Sequence, residues 1–300
     1  MAGFSYQDIG TDKKCYNGLM NRKNSVREKS EKQTSDVQHY DRFDQLDGDH
    51  PYKAQVPEAV VEYPVRTRHG GKVSVFNFDL AKEMGLIGKN HPEEINASLE
   101  KKILETFSLV IINEYDKMNN ISYPQKDVRR KTYMATRYLQ LQHPNKQGKT
   151  SGDGRSIWNG QVRSGNKVWD VSSCGTGATR LSPATHINDK FYQTGDPSIS
   201  YGCGYSEVEE GFETLLMSEI FERNKFKTEK VLAVIEFENG ISINVRAHHN
   251  LLRPSHFFWA LKQGEQETLE KIFYYYLDRC AQNDDAKGPW SKLTKKGVTA

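Results

Sequence analysis

The stretch Gly152-Asp153-Gly154-Arg155 combines residue types that suit anion binding and comes directly before an apolar run. Two glycines let the backbone bend and leave no side chains in the way, so main-chain amides can converge on an anion. Arg155 adds a planar cation that matches phosphate oxygens. A surface turn is the alternative interpretation, because neither the GxGxxG nor the Walker GxxxxGKS/T pattern is present.

A second cationic group lies in the segment NVRAHHNLLRPSHFF, residues 244–258. Arg246 ends a β-rich run, and Arg253 follows seven residues later, before an aromatic stretch that starts a helix. Two arginines that close one site can hold a polyphosphate. Two unrelated surface cations are the alternative, which the spacing alone favours. The three histidines of the segment lack a neighbouring carboxylate or cysteine pattern, so the sequence predicts no metal site there.

Apolar periodicity predicts the elements that must position these residues. Two strands, at 155–162 and 166–173, are joined at RSGN, where Gly165 supplies the turn. A loop rich in Gly, Ser, Thr and Pro follows over 174–204. A loop of this length inside a folded region tends to carry function.

A helix and a hairpin are predicted after that loop. Apolar residues keep helical spacing at Val208, Phe212, Leu215, Leu216 and Ile220. The β-rich runs EKVLAVIEF and ISINVRA flank Glu238-Asn239-Gly240, and an Asn-Gly pair in that position is a strong hairpin signal. The order strand, strand, long loop, helix, strand, strand predicts an α+β fold. It matches a protein-kinase-like small lobe, an antiparallel sheet with an inserted helix.

Further elements are predicted on both sides of this unit. A strand at 72–79 leads into a short helical turn, and a helical stripe runs from Ile95 to Ile111 behind a capping Asn90 and Pro92. These elements form a predicted N-terminal helical extension. A final helix is striped by Leu269, Ile272, Phe273, Tyr276, Leu277 and Cys280.

The composition divides the 300 residues into regions of different character. Residues 1–55 are polar and charged, and we predict a disordered extension because they offer too little apolar surface to offset the entropy of ordering. A strand and helical region is predicted over 56–150, a nucleotide-binding lobe over 151–285, and a polar tail over 286–300.

The charge and the cysteines limit the classes of partner. The net charge of +3 gives no strong nucleic-acid signal, although a basic-tailed protein that binds a partner stays an alternative. The four cysteines show no metal-ligand spacing and suit a reducing compartment. The sequence shows no signal peptide and no membrane-spanning run, so we expect a cytoplasmic protein without a membrane partner.

The motifs resemble the selenoprotein O family over roughly residues 70–285. GDGRSIWNGQV, VWDV followed by CGTGAT, TGD, MSEIFERNKF and VRAHHNLLRPSHFF occur in the family's order. Members of this family are kinase-like proteins that transfer AMP from ATP to protein hydroxyl groups. The resemblance therefore implies a nucleotidyltransferase that uses ATP with Mg²⁺ and modifies a protein substrate.

The resemblance also assigns roles to residues of this chain. Asp196 lies at the family's second Gly-Asp turn, near the base or ribose, although Pro197 replaces a glycine there. The family binds ATP in a flipped orientation that exposes the α-phosphate to attack. The positions implied to hold its phosphates are Gly152, Asp153, Gly154, Arg155, Arg246 and Arg253.

Two positions of the family's nucleotide site depart from its pattern. Cys174 occupies the place of the phosphate-binding lysine, and cysteine supplies no fixed positive charge. Lys167, Arg180 and Lys190 are the cations that can compensate. The helix glutamate that pairs with that lysine in the family falls at Glu213, one residue out of register, and Glu209 and Glu219 are alternative positions. A glutamate that only forms part of a solvated helix face is the other interpretation.

The family's catalytic base and metal ligands belong to a large lobe after the hinge. No HGxxNxDN-like run and no later Asp-Tyr-Gly occurs in this sequence, which predicts no metal ligand and leaves the catalytic residues unknown. We expect these 300 residues alone to transfer little or no AMP. A nucleotide-binding pseudoenzyme module is the alternative function.

Overall fold

Eight antiparallel strands form the main sheet, in a computed structural model that describes residues 40–141, 146–187, 190–199 and 202–283. The strands are β1 (Val60–Tyr63), β2 (Val65–Thr67), β3 (Lys72–Phe76), β4 (Leu109–Ile111), β5 (Tyr133–Thr136), β6 (Ser156–Ser164), β7 (Lys167–Cys174), β8 (Ser206–Glu207), β9 (Lys230–Glu236) and β10 (Ile241–His248). The sheet order is β1-β5-β6-β7-β10-β9-β3, with β8 paired to the start of β10. β2 and β4 form a separate pair.

Helices of very different length connect and cover these strands. They are α1 (Pro51–Gln55), α2 (Phe78–Glu83), α3 (Ala97–Phe107), α4 (Glu114–Met118), α5 (Ala184–Ile187), α6 (Val208–Arg223), α7 (Pro254–Gln263) and α8 (Gln266–Gln282). The fold is thus α+β with a large antiparallel sheet, as the sequence predicts.

Both predicted hairpins are confirmed, and their turns explain why the sequence signals were reliable. Gly165 joins β6 to β7 with a φ of 58°. Asn239 and Gly240 join β9 to β10 with φ values of 63° and 69°. Two consecutive residues with positive φ match the twist of the flanking strands, and Asn-Gly is the pair that tolerates this conformation best.

Three clusters of buried apolar residues pack around the sheet in the described residues. The first joins α2, α3 and the turn 41–45 to the central strands, through residues such as Phe107 and Ile235. The second joins Trp158 of β6 to Trp259 of α7 and Ile272 of α8. The third includes Ile157 of β6 and residues of β1, β2, β4 and β5. The long β6–β7 hairpin contributes side chains to all three clusters and so connects them.

Three boundaries predicted from sequence are wrong. The stripe from Ile95 to Ile111 is not one helix, because α3 ends at Phe107 and the chain continues as β4. The extension predicted as disordered over 1–55 ends too late, because Phe43 is fully buried in the first cluster and Tyr52 in the second. The boundary at residue 150 is crossed by the sheet, in which β5 pairs with β6. Residues 1–39 and the predicted tail 286–300 lie outside the described residues.

The face on which α6 packs also differs from the prediction. Phe212, Leu216 and Ile220 are exposed, and the buried residues of the helix are Gly211 and Ser218. A Cβ atom at Gly211 would lie 2.4 Å from Asn244 Oδ1 of β10. Small residues are therefore required where this helix contacts the sheet, and the large apolar residues face outward.

A buried carboxylate on β7 joins four parts of the chain. Asp170 Oδ1 lies 3.0 Å from Nε2 of His50 and 2.7 Å from Nη2 of Arg279 on α8. Asp170 Oδ2 accepts a hydrogen bond of 3.1 Å from the main-chain N–H of Leu251. The Arg279 guanidinium also donates to the carbonyl of His249. Because Asp170 and Arg279 are fully buried, each depends on the other for its charge.

We expect Asp170→Ala to lower the free energy of unfolding by about 3–5 kcal/mol, because it leaves the Arg279 guanidinium buried without its carboxylate. Urea unfolding followed by circular dichroism measures the loss. Asp278→Ala, at an exposed position on the same helix as Arg279, is the matched control and should change stability by less than about 0.5 kcal/mol. Equal losses in the two variants would contradict this role of Asp170.

Candidate functional site

Asp153 of the GDGR loop lies next to one of the two predicted arginines. Arg253 Nη2 is 4.0 Å from Asp153 Oδ1, and the Arg253 guanidinium is stacked 4.4 Å above the centre of the Tyr138 ring. Arg253 is half exposed whereas Asp153 is buried. The cation thus lies at the mouth of a site with a carboxylate and an aromatic ring behind it. Burial and the charge of Asp153 raise the pKa of Tyr138, which keeps this phenol protonated.

A chain of hydrogen bonds connects the Arg253 segment to Asp153. The N–H of Arg253 donates to His256 Nδ1 at 3.0 Å, which leaves Nε2 to carry the ring proton toward Thr136 Oγ1, also at 3.0 Å. Thr136 Oγ1 donates to Asp153 Oδ2 at 2.6 Å. Asp153 Oδ2 accepts further bonds from the Thr136 N–H and from Nε1 of Trp158. Three donors on one oxygen fix the orientation of the carboxylate.

His256 is neutral in this arrangement. Burial, followed by the charge of Arg253, lowers the pKa of His256 to about 3. The neutral ring both accepts from the Arg253 N–H and donates to Thr136, which a doubly protonated ring cannot do. His256 is therefore a positioning residue, which connects the Arg253 main chain to Thr136 through its neutral ring.

Arg246, the other predicted arginine, lies on the face of the sheet to which Cys174 belongs. The register pairs Arg246 with Ser172 and Asn244 with Cys174. Residues two apart on a strand share a face, so Cys174 and Arg246 are diagonal neighbours. Cys174 is buried at the end of β7.

The guanidinium of Arg246 is only partly paired. Its Nη1 donates to Glu229 Oε1 at 2.7 Å, and its buried Nε has no hydrogen-bond partner among the described residues. Burial alone would lower the pKa of Arg246, but the neighbouring Glu229, Cys174, Asp153 and Tyr138 raise it. Asp153 thus acts on both arginines. We name the set Tyr138, Asp153, Arg246 and Arg253 the arginine cleft.

The two glycines of the GDGR loop serve close packing. A Cβ atom at Gly152 would lie 2.1 Å from the carbonyl oxygen of Thr136, and one at Gly154 would lie 2.9 Å from the Cα of Ser182. The main-chain N–H of Asp153 donates to the Thr136 carbonyl at 2.9 Å. The loop therefore joins β5 to the segment after β7, and the amide of Asp153 is used inside the protein.

Arg155 pairs with helix α6. Its Nη1 and Nη2 donate to the two carboxylate oxygens of Glu210 at 2.8 and 2.6 Å, and Nη1 also donates to the carbonyl of Tyr205. The helix glutamate that reaches the GDGR loop is thus Glu210, which the sequence reasoning missed by three residues. Glu213 is exposed and lines a shallow depression of about 320 Å³ that also includes Glu229, the partner of Arg246.

Asp196 lies in the segment 190–199, where its carboxylate accepts hydrogen bonds from the N–H and the hydroxyl of Ser198. These bonds lower the pKa of Asp196. In the part of the chain that the structure describes, Asp196 makes no hydrogen bond or ion pair with the arginine cleft or with Arg155. Of the predicted site residues, the structure therefore brings together Asp153, Cys174, Arg246 and Arg253.

Tyr138, Glu229 and Glu210 were not identified from the sequence. Tyr138 and Glu229 lie in segments that no motif marks, and their proximity to the arginines depends on strand pairing. Glu210 had a signal, because it lies one helical turn from the start of α6, where it reaches back to Ser206 and Arg155. An acidic residue in the first turn of the helix is thus a better guide here than the register of the resembling family.

We expect the folded protein to lose stability below neutral pH because of His256. With a folded pKa of about 3 and an ordinary value near 6.5, this histidine takes up its proton in the unfolded chain first. The contribution is complete above pH 6.5 and is lost progressively toward pH 3. The free energy of unfolding therefore falls by about 2 kcal/mol between pH 7 and pH 5. Urea unfolding at a series of pH values measures this slope.

His256→Gln should flatten the slope, even though it lowers stability at neutral pH. Leu261→Gln is the matched control, because it changes an exposed residue of the same helix and neither adds nor removes a titratable group, so the slope should stay unchanged. A slope that survives in His256→Gln would show that another group titrates.

Comparisons with known proteins add no identification: no family model matches the chain, and no curated protein matches it significantly. The resemblance to the selenoprotein O family therefore depends on the motifs quoted above. Among the described residues, no group of three or more His, Cys, Asp or Glu side chains is arranged to hold a metal ion. None of the described helices is both long enough and apolar enough to cross a membrane.

Proposed function

We propose that this protein binds the phosphates of ATP in the arginine cleft, within a kinase-like small lobe of the selenoprotein O type. The observation that carries the proposal is the distance of 4.0 Å between Arg253 and Asp153, together with the charge of Asp153, which raises the pKa of the nearby Arg246. Two arginines that the sequence separates by seven residues thus both lie near one carboxylate of the GDGR loop. A triphosphate would contact Arg253 first, because its guanidinium is half exposed and lies only 4.0 Å from its nearest carboxylate oxygen.

The sheet order supports a kinase-like arrangement. β7 lies beside β10, which lies beside β9, and α6 is inserted in sequence between β7 and the β9–β10 hairpin. In protein kinases the lysine of an equivalent strand pairs with a glutamate of the inserted helix. Cys174 ends β7 on the face that α6 covers, because Asn244, its cross-strand neighbour, contacts Gly211 of α6.

An ion pair between Arg155 and Glu210 takes the place of that lysine–glutamate pair in our proposal. It connects the GDGR loop to the inserted helix, as the lysine–glutamate pair connects strand and helix in kinases. The bidentate geometry fixes the helix relative to the loop more firmly than a lysine would. Arg155 then acts as a positioning residue, and phosphate binding is left to Arg246 and Arg253.

A second candidate is a nucleotide-binding module without turnover. The observation that favours it is Cys174, a buried thiol at the position where the family has its phosphate-binding lysine. In this function the cleft holds ATP, and binding itself is the signal. ATP affinity is common to both candidates, so it is tested first.

We expect Arg253→Ala to weaken ATP binding by about tenfold or more, because hydrogen bonds between charged groups contribute about 1.5–3 kcal/mol. Isothermal titration calorimetry measures the dissociation constant. Arg163→Ala removes an exposed arginine from the far end of β6 and is the matched control. Absence of saturable heat with the intact protein, or equal losses in both variants, would refute ATP binding in the arginine cleft.

We expect Cys174→Lys to strengthen ATP binding several-fold, because it adds a cation on the same face as Arg246. Without ATP the new charge faces Arg246, so the thermal midpoint should fall and ATP should restore it. Cys174→Met is the control, since methionine has a similar length without the charge. Affinity that is unchanged in Cys174→Lys would show that the family's register does not apply at this position.

A further inference from the structure

A second cationic region lies in a large cavity whose lining does not include the residues of the arginine cleft. It has a volume of about 1140 Å³ and is bounded by the turn 41–45, the β2–β3 connection, α3 and the segment 129–133. It shares no lining residue with the arginine cleft. Its Lys and Arg side chains are Arg68, Lys72, Lys101, Lys102, Arg129, Arg130 and Lys131. We name it the basic cavity.

The carboxylates of the basic cavity are already engaged. Lys102 pairs with Asp44, Lys131 with Asp47, and Lys101 with Glu105. The remaining carboxylate of the lining, Glu100, accepts a hydrogen bond from a main-chain N–H of β3. These pairs neutralise three of the seven cations, and Glu100 keeps its negative charge, so the seven cations exceed the four carboxylates of the lining by three positive charges.

The other four cations have no carboxylate partner among the described residues. Lys72 and Arg130 are exposed, and neither makes a described ion pair. Arg129 donates from Nη2 to a carbonyl oxygen of α3, which leaves its charge unneutralised. Four cations without an ion pair and one unpaired carboxylate, Glu100, therefore face one cavity, and the excess of positive charge makes an anionic ligand favourable.

Arg68 is the most strongly held of these four cations. Its guanidinium is stacked 4.1 Å above the Phe237 ring and 4.6 Å above the Tyr205 ring. Its buried Nη1 has no hydrogen-bond partner among the described residues. Because that nitrogen is inaccessible and neither ring lines the cavity, Arg68 contributes its fixed positive charge to the cavity rather than this donor.

We propose that the basic cavity binds a small molecule that carries several phosphate groups. One phosphate monoester has a charge of at most about −2, so the excess of positive charge in the lining, seven cations against four carboxylates, calls for at least two such groups. The exposed Arg130 guanidinium is a planar fork that suits phosphate oxygens, and the exposed Lys72 ammonium binds them as a point charge. The volume exceeds what a single phosphate fills and falls in the range of small-molecule sites.

Titration calorimetry with inositol hexakisphosphate at low ionic strength tests the proposal. We expect saturable binding in the micromolar range, with much weaker binding of inorganic phosphate. Lys72→Ala/Arg130→Ala should weaken inositol hexakisphosphate binding by about tenfold or more, because it removes two charged hydrogen bonds. These two side chains make no described ion pair, so the thermal midpoint should stay close to that of the intact protein.

Two controls separate this site from general charge and from the arginine cleft. Lys126→Ala/Lys262→Ala removes two exposed lysines that do not line the cavity and should leave the affinity within about twofold. Arg246→Ala should also leave it unchanged, whatever that variant does to ATP binding. The proposal is overturned if the intact protein gives no saturable heat, if the lysine control loses as much affinity as the cavity variant, or if Arg246→Ala abolishes binding.

Discussion

The buried pair between Asp170 and Arg279 is the interaction on which the position of the arginine cleft depends. Asp170 lies in the middle of the sheet, and through its two oxygens it holds α1, α8 and the main chain at Leu251. Leu251 is two residues before Arg253, and Arg279 also holds the carbonyl of His249. The main chain just before Arg253 is therefore fixed at two points, His249 and Leu251, by one charge pair. Because both ions are buried, movement of this segment would cost each of them a hydrogen bond that water does not replace.

Asp153 is a second buried carboxylate with a different function. Its Oδ2 is saturated by three donors, so its orientation is set by β5 and β6 before any ligand arrives. Its Oδ1 is the atom that faces Arg253. Asp170 thus fixes the main chain and Asp153 fixes the charge that the arginines face. This division allows Arg253 to be half exposed and still well positioned.

Local patterns predicted the parts of the fold that depend on neighbouring residues. The hairpin at Asn239-Gly240 is set by the positive φ of two adjacent residues, and the turn at Gly165 by one. The packing of α6 was not predictable in this way. The apolar residues of α6 do recur with helical periodicity. The helix nevertheless packs on the sheet through its small residues, because Asn244 of the later strand β10 leaves no room for a side chain at Gly211.

The candidate site shows the same limit. The family resemblance led to the prediction that Arg246 and Arg253 act together. The same reasoning assigned the glycines of the GDGR loop to ligand binding, whereas close packing already accounts for them. Gly152 lies where the carbonyl of Thr136 leaves no room for a side chain. Arg155, expected on phosphate, pairs with Glu210 instead. A short motif specifies which residues are present. The pairing of distant strands then decides which of their polar groups remain available to bind a ligand.

The distribution of charge gives the two cationic regions different physical characters. The net charge of the chain is only +3, so neither region reflects a generally basic protein. In the arginine cleft, the cations have carboxylates behind them, which lower the affinity for any anion that does not displace or outcompete Asp153 and Glu229. In the basic cavity, three of the four acids are paired with lysines, and four cations stay unpaired among the described residues. We therefore propose that the cleft selects its ligand by geometry and the cavity by charge, so salt should weaken binding in the cavity more than in the cleft.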